Sequence, residues 1–199
     1  RLAIPTVTAQ LVNALYNIVD RIYIGHIEGV GDLALTGLGV CFAVIMFVSA
    51  VSALVGMGGA SRAVVRMGEG KMEQANAILG NCTALLILLS VVLTALFLVI
   101  QRPMLFLFGA TENTIGYATD YLTIYLCGTI FVELSLGLHY FITGQGFSTM
   151  GMVTVLIGAV VNVVLDPVFI FGFNMGVKGA ALATIIAQAV SAVWVVAFL

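Results

Sequence analysis

Asp166 stands in the run Asn162-Val-Val-Leu-Asp166-Pro167-Val-Phe-Ile-Phe, a carboxylate within a stretch apolar enough to cross a membrane. An ionisable side chain is costly in hydrocarbon, and its presence there points to an ion path, a proton relay or a substrate site. Pro167 has no N–H for the carbonyl of Val163, and its ring crowds that oxygen, so an acceptor is freed beside the acid. Asn162 precedes Asp166 by one helical turn and faces the same way. Amide, carboxylate and freed carbonyl make an oxygen-rich spot suited to a proton or a small hard cation.

Further polar residues lie in other apolar runs. Gln10, Asn13, Asn17 and Asp20 follow one another at steps of three, four and three, which is a single stripe on a helix. Lipid cannot satisfy such a stripe, so it must face a helix bundle or a wet cavity. The amides alone are weak indicators, because hydrogen bonds between membrane helices contribute only about 0.6 kcal/mol on average. Asp20 is the stronger signal. Arg21 follows it, placed to pair with an acid or to extend to the outer interface. Glu133 sits near the middle of another run, where it reads as a proton site or cation partner, and His139 reads as interfacial. Thr184, Gln188 and Ser191 repeat the stripe in the last run; a lone hydroxyl such as Thr184 more often bonds back to its own helix. Asp120, Glu112 and Glu28, at or beyond the ends of runs, read as solvated charges.

These residues need elements to hold them, and composition says which. The chain is 62% hydrophobic and 8% charged, with a mean hydropathy of +1.20. Soluble domains carry about 25% charged residues, so a water-soluble globule is excluded. Runs of about 20 apolar residues fall at 2–24, 34–59, 77–100, 117–142, 151–171 and 177–199, separated by segments rich in glycine or charge. They do not alternate as barrel strands would. The expected fold is all-α and polytopic, with six transmembrane helices forming a single unit over 1–199. The chain opens at Arg1 rather than Met and closes inside the run Ala197-Phe198-Leu199, as a piece of a longer protein would.

Loop charges suggest an orientation. Arg1, Arg62, Arg66 and Lys71 fall on one side and Arg102 and Lys178 on the other, which puts the N-terminus in the cytoplasm. An even number of spans lets a second copy enter the bilayer the same way round, as in a parallel repeat. A net charge of −2 gives no basic face for nucleic acid. Cys41, Cys82 and Cys127 lack metal-ligand spacing and read as packing residues. The small residues Ser49, Ser52, Ala53, Gly56 and Ala60 read as a close-packing stripe.

Several stretches together resemble the multidrug and toxic compound extrusion (MATE) family. They are Ile4-Pro5, Tyr16-Asn-Ile-Val-Asp20-Arg-Ile-Tyr-Ile-Gly25, Gly59-Ala-Ser-Arg-Ala-Val-Val-Arg-Met-Gly68, Asn162-Val-Val-Leu-Asp166-Pro-Val-Phe-Ile-Phe-Gly172 and Gly176-Val-Lys-Gly-Ala-Ala-Leu-Ala-Thr184-Ile-Ile-Ala-Gln188. The resemblance covers essentially the whole chain as the family's first six-helix lobe, and implies a second lobe of the same protein. It implies that Asp20, Asn162, Asp166 and Thr184 form a site for Na+ or H+, and that Pro5 is a bending point of the first helix; Pro167, from its own chemistry, is a second expected bending point. Gln10, Asn13, Asn17, Glu133 and Gln188 are the expected substrate pathway.

The expected function is export of lipophilic, often cationic organic compounds, coupled to Na+ or H+ and needing no cofactor. The expected place is the plasma membrane, the bacterial inner membrane. A flippase for lipid-linked oligosaccharide would need several Arg or Lys in its cavity, and only Arg21 is intramembrane. An intramembrane hydrolase needs a nucleophile with a base, and no Gly-x-Ser-x-Gly is present.

Overall fold

A computed structural model describes residues 3–199; Arg1 and Leu2 lie outside the described residues, and with them one of the orientation charges and the first residue of the first expected span. Seven α-helices and one π-helical turn follow in order: α1 Ala3–Gly25, α2 Gly31–Gly68, α3 Met72–Leu107, α4 Ile115–Cys127, α5 Thr129–Gly144, α6 Ser148–Pro167, a π segment Val168–Gly172, and α7 Val177–Phe198. No strand occurs among the described residues.

The expected spans are present as helices, with three differences. α2 and α3 run to 38 and 36 residues, about 57 and 54 Å of helix at 1.5 Å per residue, against about 30 Å of hydrocarbon. A hydropathy window stops where charge begins, but the backbone ladder does not. The expected fourth span is two helices, α4 and α5, bent by 60° at Gly128. Finally, α2, α3, α6 with its π segment and α7 are each long and apolar enough to cross a membrane, and the bent α4–α5 pair makes a fifth such span. α1 has the length at 23 residues, but Gln10, Asn13, Asn17, Asp20 and Arg21 dilute its apolar character.

α2 and α3 form a hairpin turning at Gly70, whose φ of +76° suits glycine. Glu69 accepts from Arg66 Nη1 and Lys71 Nζ, both at 2.8 Å. Lys71 and Arg66 together hold the exposed Glu69 carboxyl below its usual range. α5 lies along α2 and between α3 and α7, while α6 joins α7 to α1. α1 rests mainly on α6 and touches α2 and α7 less.

Two apolar clusters fill the lobe. The larger gathers Val44, Leu122, Leu126, Ile170 and Ile185 with their neighbours. The smaller lies toward the α2–α3 hairpin, around Ala60, Leu86, Phe141, Ile142 and Val195. Between them α2 and α5 approach so closely that only glycine fits. A Cβ on Gly56 would stand 2.4 Å from the carbonyl oxygen of Gly137, and one on Gly137 would stand 2.6 Å from Leu86 Cδ1. The expected small-residue stripe of α2 is therefore a packing seam. Gly179 performs the same service at the start of α7, where a Cβ would lie 2.7 Å from the carbonyl carbon of Phe169 in the π segment.

Gly56→Ala is expected to destabilise the protein by about 1–3 kcal/mol through overpacking. It would appear as a lower thermal midpoint in detergent than wild type. Gly58→Ala faces open space on the same helix and should leave the midpoint unchanged or slightly raised, since alanine is the better helix former.

Candidate cation site

α6 places Asn162 and Asp166 one turn apart on its inner face, 2% and 0% exposed. The side-chain amide of Asn162 donates to Asp166 Oδ1 at 3.3 Å and to Thr184 Oγ1 of α7 at 3.4 Å. Asp20, 8% exposed, enters from α1, close enough to Asp166 for the two carboxyl groups to interact directly. Three helices thus bring together the four residues singled out as the cation set.

The local fold explains the convergence. Pro167 ends the regular ladder of α6, and the chain widens into the π segment, with Phe173 N–H bonding back five residues to the Val168 carbonyl at 2.9 Å. Such turns are rare and recur at functional sites. The widened turn is clamped by Gly179, which brings the N-terminal part of α7, and Thr184 with it, against α6.

Oxygens outnumber donors here. Asp20 Oδ1, Asp166 Oδ2 and Asn162 Oδ1 are all buried without a hydrogen-bond partner. Unpartnered buried acceptors are costly, and three converging from α1 and α6 describe a place for a hydrogen or a hard cation. Two carboxylates, an amide oxygen and a hydroxyl, with no sulfur or imidazole among them, are donors that suit hard cations.

The remaining expected residues divide. Gln10, Asn13 and Asn17 are exposed on the surface of this lobe, and Asn17 Nδ2 bonds back to the Asn13 carbonyl at 2.7 Å. They flank the inward face of α1 formed by Ala9, Val12, Tyr16 and Asp20. Gln188 is bound through Oε1 to the Ser135 hydroxyl of α5. Glu133 lines no open space: it is fully enclosed between helices. Pro5 falls in the first turn of α1, where a missing N–H breaks no bond of the described helix. Arg21 reaches neither acid as an ion pair but lies over the Phe42 ring, 5.9 Å from its centroid. Asp120, read as a solvated charge, pairs with Lys178 at 3.4 Å across α4 and α7.

Sequence reasoning missed three tyrosines. Tyr121 and Tyr125 stack along α4 with centroids 6.3 Å apart. Tyr121 lies against Thr184 and within electrostatic reach of Asp20. Tyr16, one turn before Asp20, lies within reach of both acids. A hydroxyl-bearing ring one turn from a membrane acid was the available signal for Tyr16. The pair on α4 carried none, because its partners lie on other helices.

Comparison with known proteins identifies the fold. The family model described as MatE matches residues 5–168. Multidrug export protein MepA of Staphylococcus haemolyticus (strain JCSC1435) is 25% identical over 197 residues, 98% of this chain and 43% of that protein. A protein named FAD transporter from Shewanella oneidensis is 25% identical over 174 residues, 85% of this chain and 38% of that one. A solved structure of the MATE multidrug transporter DinF-BH superposes with a TM-score of 0.92 at 41% identity, covering 99% of this chain and 44% of its own. The chain spans less than half the length of these relatives, as one lobe of such a transporter does. A family model covering most of the chain and a shared half-transporter fold lead to one conclusion: the chain belongs to the MatE family.

Proposed function

We propose that this chain is the N-terminal lobe of a Na+- or H+-coupled exporter of lipophilic, often cationic organic compounds. The observation that carries the reading is the set of unpartnered buried oxygens on Asp20, Asp166 and Asn162. A second six-helix lobe completes the transporter and encloses the exposed polar residues Gln10, Asn13 and Asn17. The protein resides in the plasma membrane, the inner membrane of a bacterium, with its N-terminus in the cytoplasm.

In this mechanism the carboxyl pair shares one positive charge. Two carboxylates facing each other out of water cannot both be charged without a counter-ion, so a proton or Na+ has a well-defined place between α1 and α6. Cation entry ties α1 to α6 and α7; cation loss leaves Asp20 and Asp166 repelling each other. Because α1 leans chiefly on α6, it is the element this charge moves, with Pro5 offering a place to bend. The altered α1 face expels the bound organic compound. A membrane potential supplies about 2.3 kcal/mol per charge per 100 mV to drive the inward cation. The name FAD transporter on one relative sets an anionic cargo as the competing reading, but the set Asp20, Asn162, Asp166 and Thr184 contains no cationic side chain to receive one.

Asp166→Asn and Asp20→Asn in the complete reading frame are each expected to reduce ethidium efflux to the level of cells without the transporter, with membrane insertion and size-exclusion profile unchanged. Efflux at the wild-type rate in either variant would overturn the assignment. Thr184→Ala keeps both acids and is expected to weaken apparent cation affinity about tenfold, the loss of one hydrogen bond or ligand oxygen. That is read as a shift in the cation concentration giving half-maximal efflux. Efflux that follows an imposed Na+ gradient at constant pH assigns Na+; efflux that follows only the pH gradient assigns the proton.

A further inference from the structure

The layer between the two apolar clusters holds a carboxyl group that the cation site does not use. Glu133, on α5 just beyond the bend at Gly128, is 0% exposed, and neither of its carboxyl oxygens has a hydrogen-bond partner. The neighbouring hydroxyls are committed elsewhere. Ser52 of α2 donates to the main-chain carbonyl of Glu133 at 3.0 Å, and Ser135 is engaged with Gln188 of α7.

Among the described residues no charged side chain pairs with Glu133. α3 contributes Leu86, packed on Gly137 one turn along α5, and Ser90, whose hydroxyl bonds to its own helix at Ile87. α7 contributes Ile185, pressed on Gly128. α6 meets α5 at the far end, where Gly151 abuts Thr143 and His139. Of the titratable side chains on these elements, only Tyr125 of α4 lies within electrostatic reach of Glu133 among the described residues.

A carboxylate enclosed with neither oxygen hydrogen-bonded, and with no ion-pair partner among the described residues, would be costly to bury. A bound proton removes the charge and turns one orphan acceptor into a donor. We propose that Glu133 is a second proton-binding site of the lobe, separate from the Asp20–Asp166 pair. The reaction is proton exchange alone, carboxyl to carboxylate plus H+, with no other bond made or broken. The inference holds whichever ion the aspartate pair takes, and holds equally if that pair takes none.

The test is infrared difference spectroscopy of the complete transporter reconstituted in lipid, titrated with pH. Wild type should show a carboxylic-acid C=O band that is lost as the group gives up its proton. Glu133→Gln should lack that band, while Asp166→Asn retains it; the latter variant separates this site from the aspartate pair. A Glu133→Gln spectrum superimposable on wild type overturns the proposal. Tyr125→Phe preserves the ring packing and reports even if the glutamine variant fails to fold. The acid band should then shift in frequency as a neighbouring phenol is removed, and an unmoved band overturns its assignment to Glu133. Dye efflux should follow suit: Glu133→Gln removes one ionisation from the pH profile, whereas a purely structural Glu133 leaves the profile's shape intact.

Discussion

Hydrocarbon offers no hydrogen-bond partner, and the rest of this lobe follows from that constraint. Its polar side chains meet it in distinct ways. Some bond back to their own helix, as Ser49 does to Ile45 and Thr83 to Leu79. Others bond across to a neighbouring backbone: Cys41 to Ala118, Ser52 to Glu133, Thr94 to Leu126 and Ser191 to Thr154. These cross-links fasten α2 to α4 and α5, α3 to α4, and α6 to α7. A third group is left open, comprising oxygens of Asp20, Glu133, Asn162 and Asp166 together with the indole N–H of Trp194. The acids stand in two places rather than one.

Glycine decides how closely the frame can close around those places. Gly56 and Gly137 draw α2 onto α5, Gly59 leaves room for Cys82 and Phe141, and Gly179 admits the π segment. With lipid on the outside there is little hydrophobic gain in joining one helix to another, so this tight contact holds the bundle through dispersion and short polar bonds. α1 is the exception. It carries an exposed apolar face, with Leu11 and Leu15 each 60% exposed, and its buried contact is concentrated on α6. The helix that supplies half of the carboxyl pair is therefore also the one held least by the frame.

The candidate cation set was legible in the sequence because charge inside an apolar run is conspicuous and because Asn162 and Asp166 are neighbours by helical spacing alone. Thr184 needed the family resemblance, since nothing local tells a ligand hydroxyl from one that bonds to its own helix. Spans were legible, but their ends were not: α2 continues through Arg62 and Arg66 because helix propagation tolerates charge that a bilayer does not. The bend between α4 and α5 was hidden for a different reason. Cys127-Gly128-Thr129 resembles any glycine in a membrane helix, and what sets this one apart, Ile185 occupying the space of a side chain at Gly128, is a tertiary fact. Glu133 was visible as an acid, but its enclosure was not, because burial within a lobe and exposure to a pathway look identical along the chain.

The overlength of α2 and α3 has a practical consequence. From Ser61 to Gly68 the last turns of α2 rise roughly 12 Å at 1.5 Å per residue, and they lead into a clasp of Arg66, Glu69 and Lys71 where lipid tails cannot follow. The hairpin is thus a charged, exposed projection of this lobe. It is a natural grip for an antibody fragment, and an attached fragment would give this small lobe the bulk and asymmetry that single-particle imaging needs to align it.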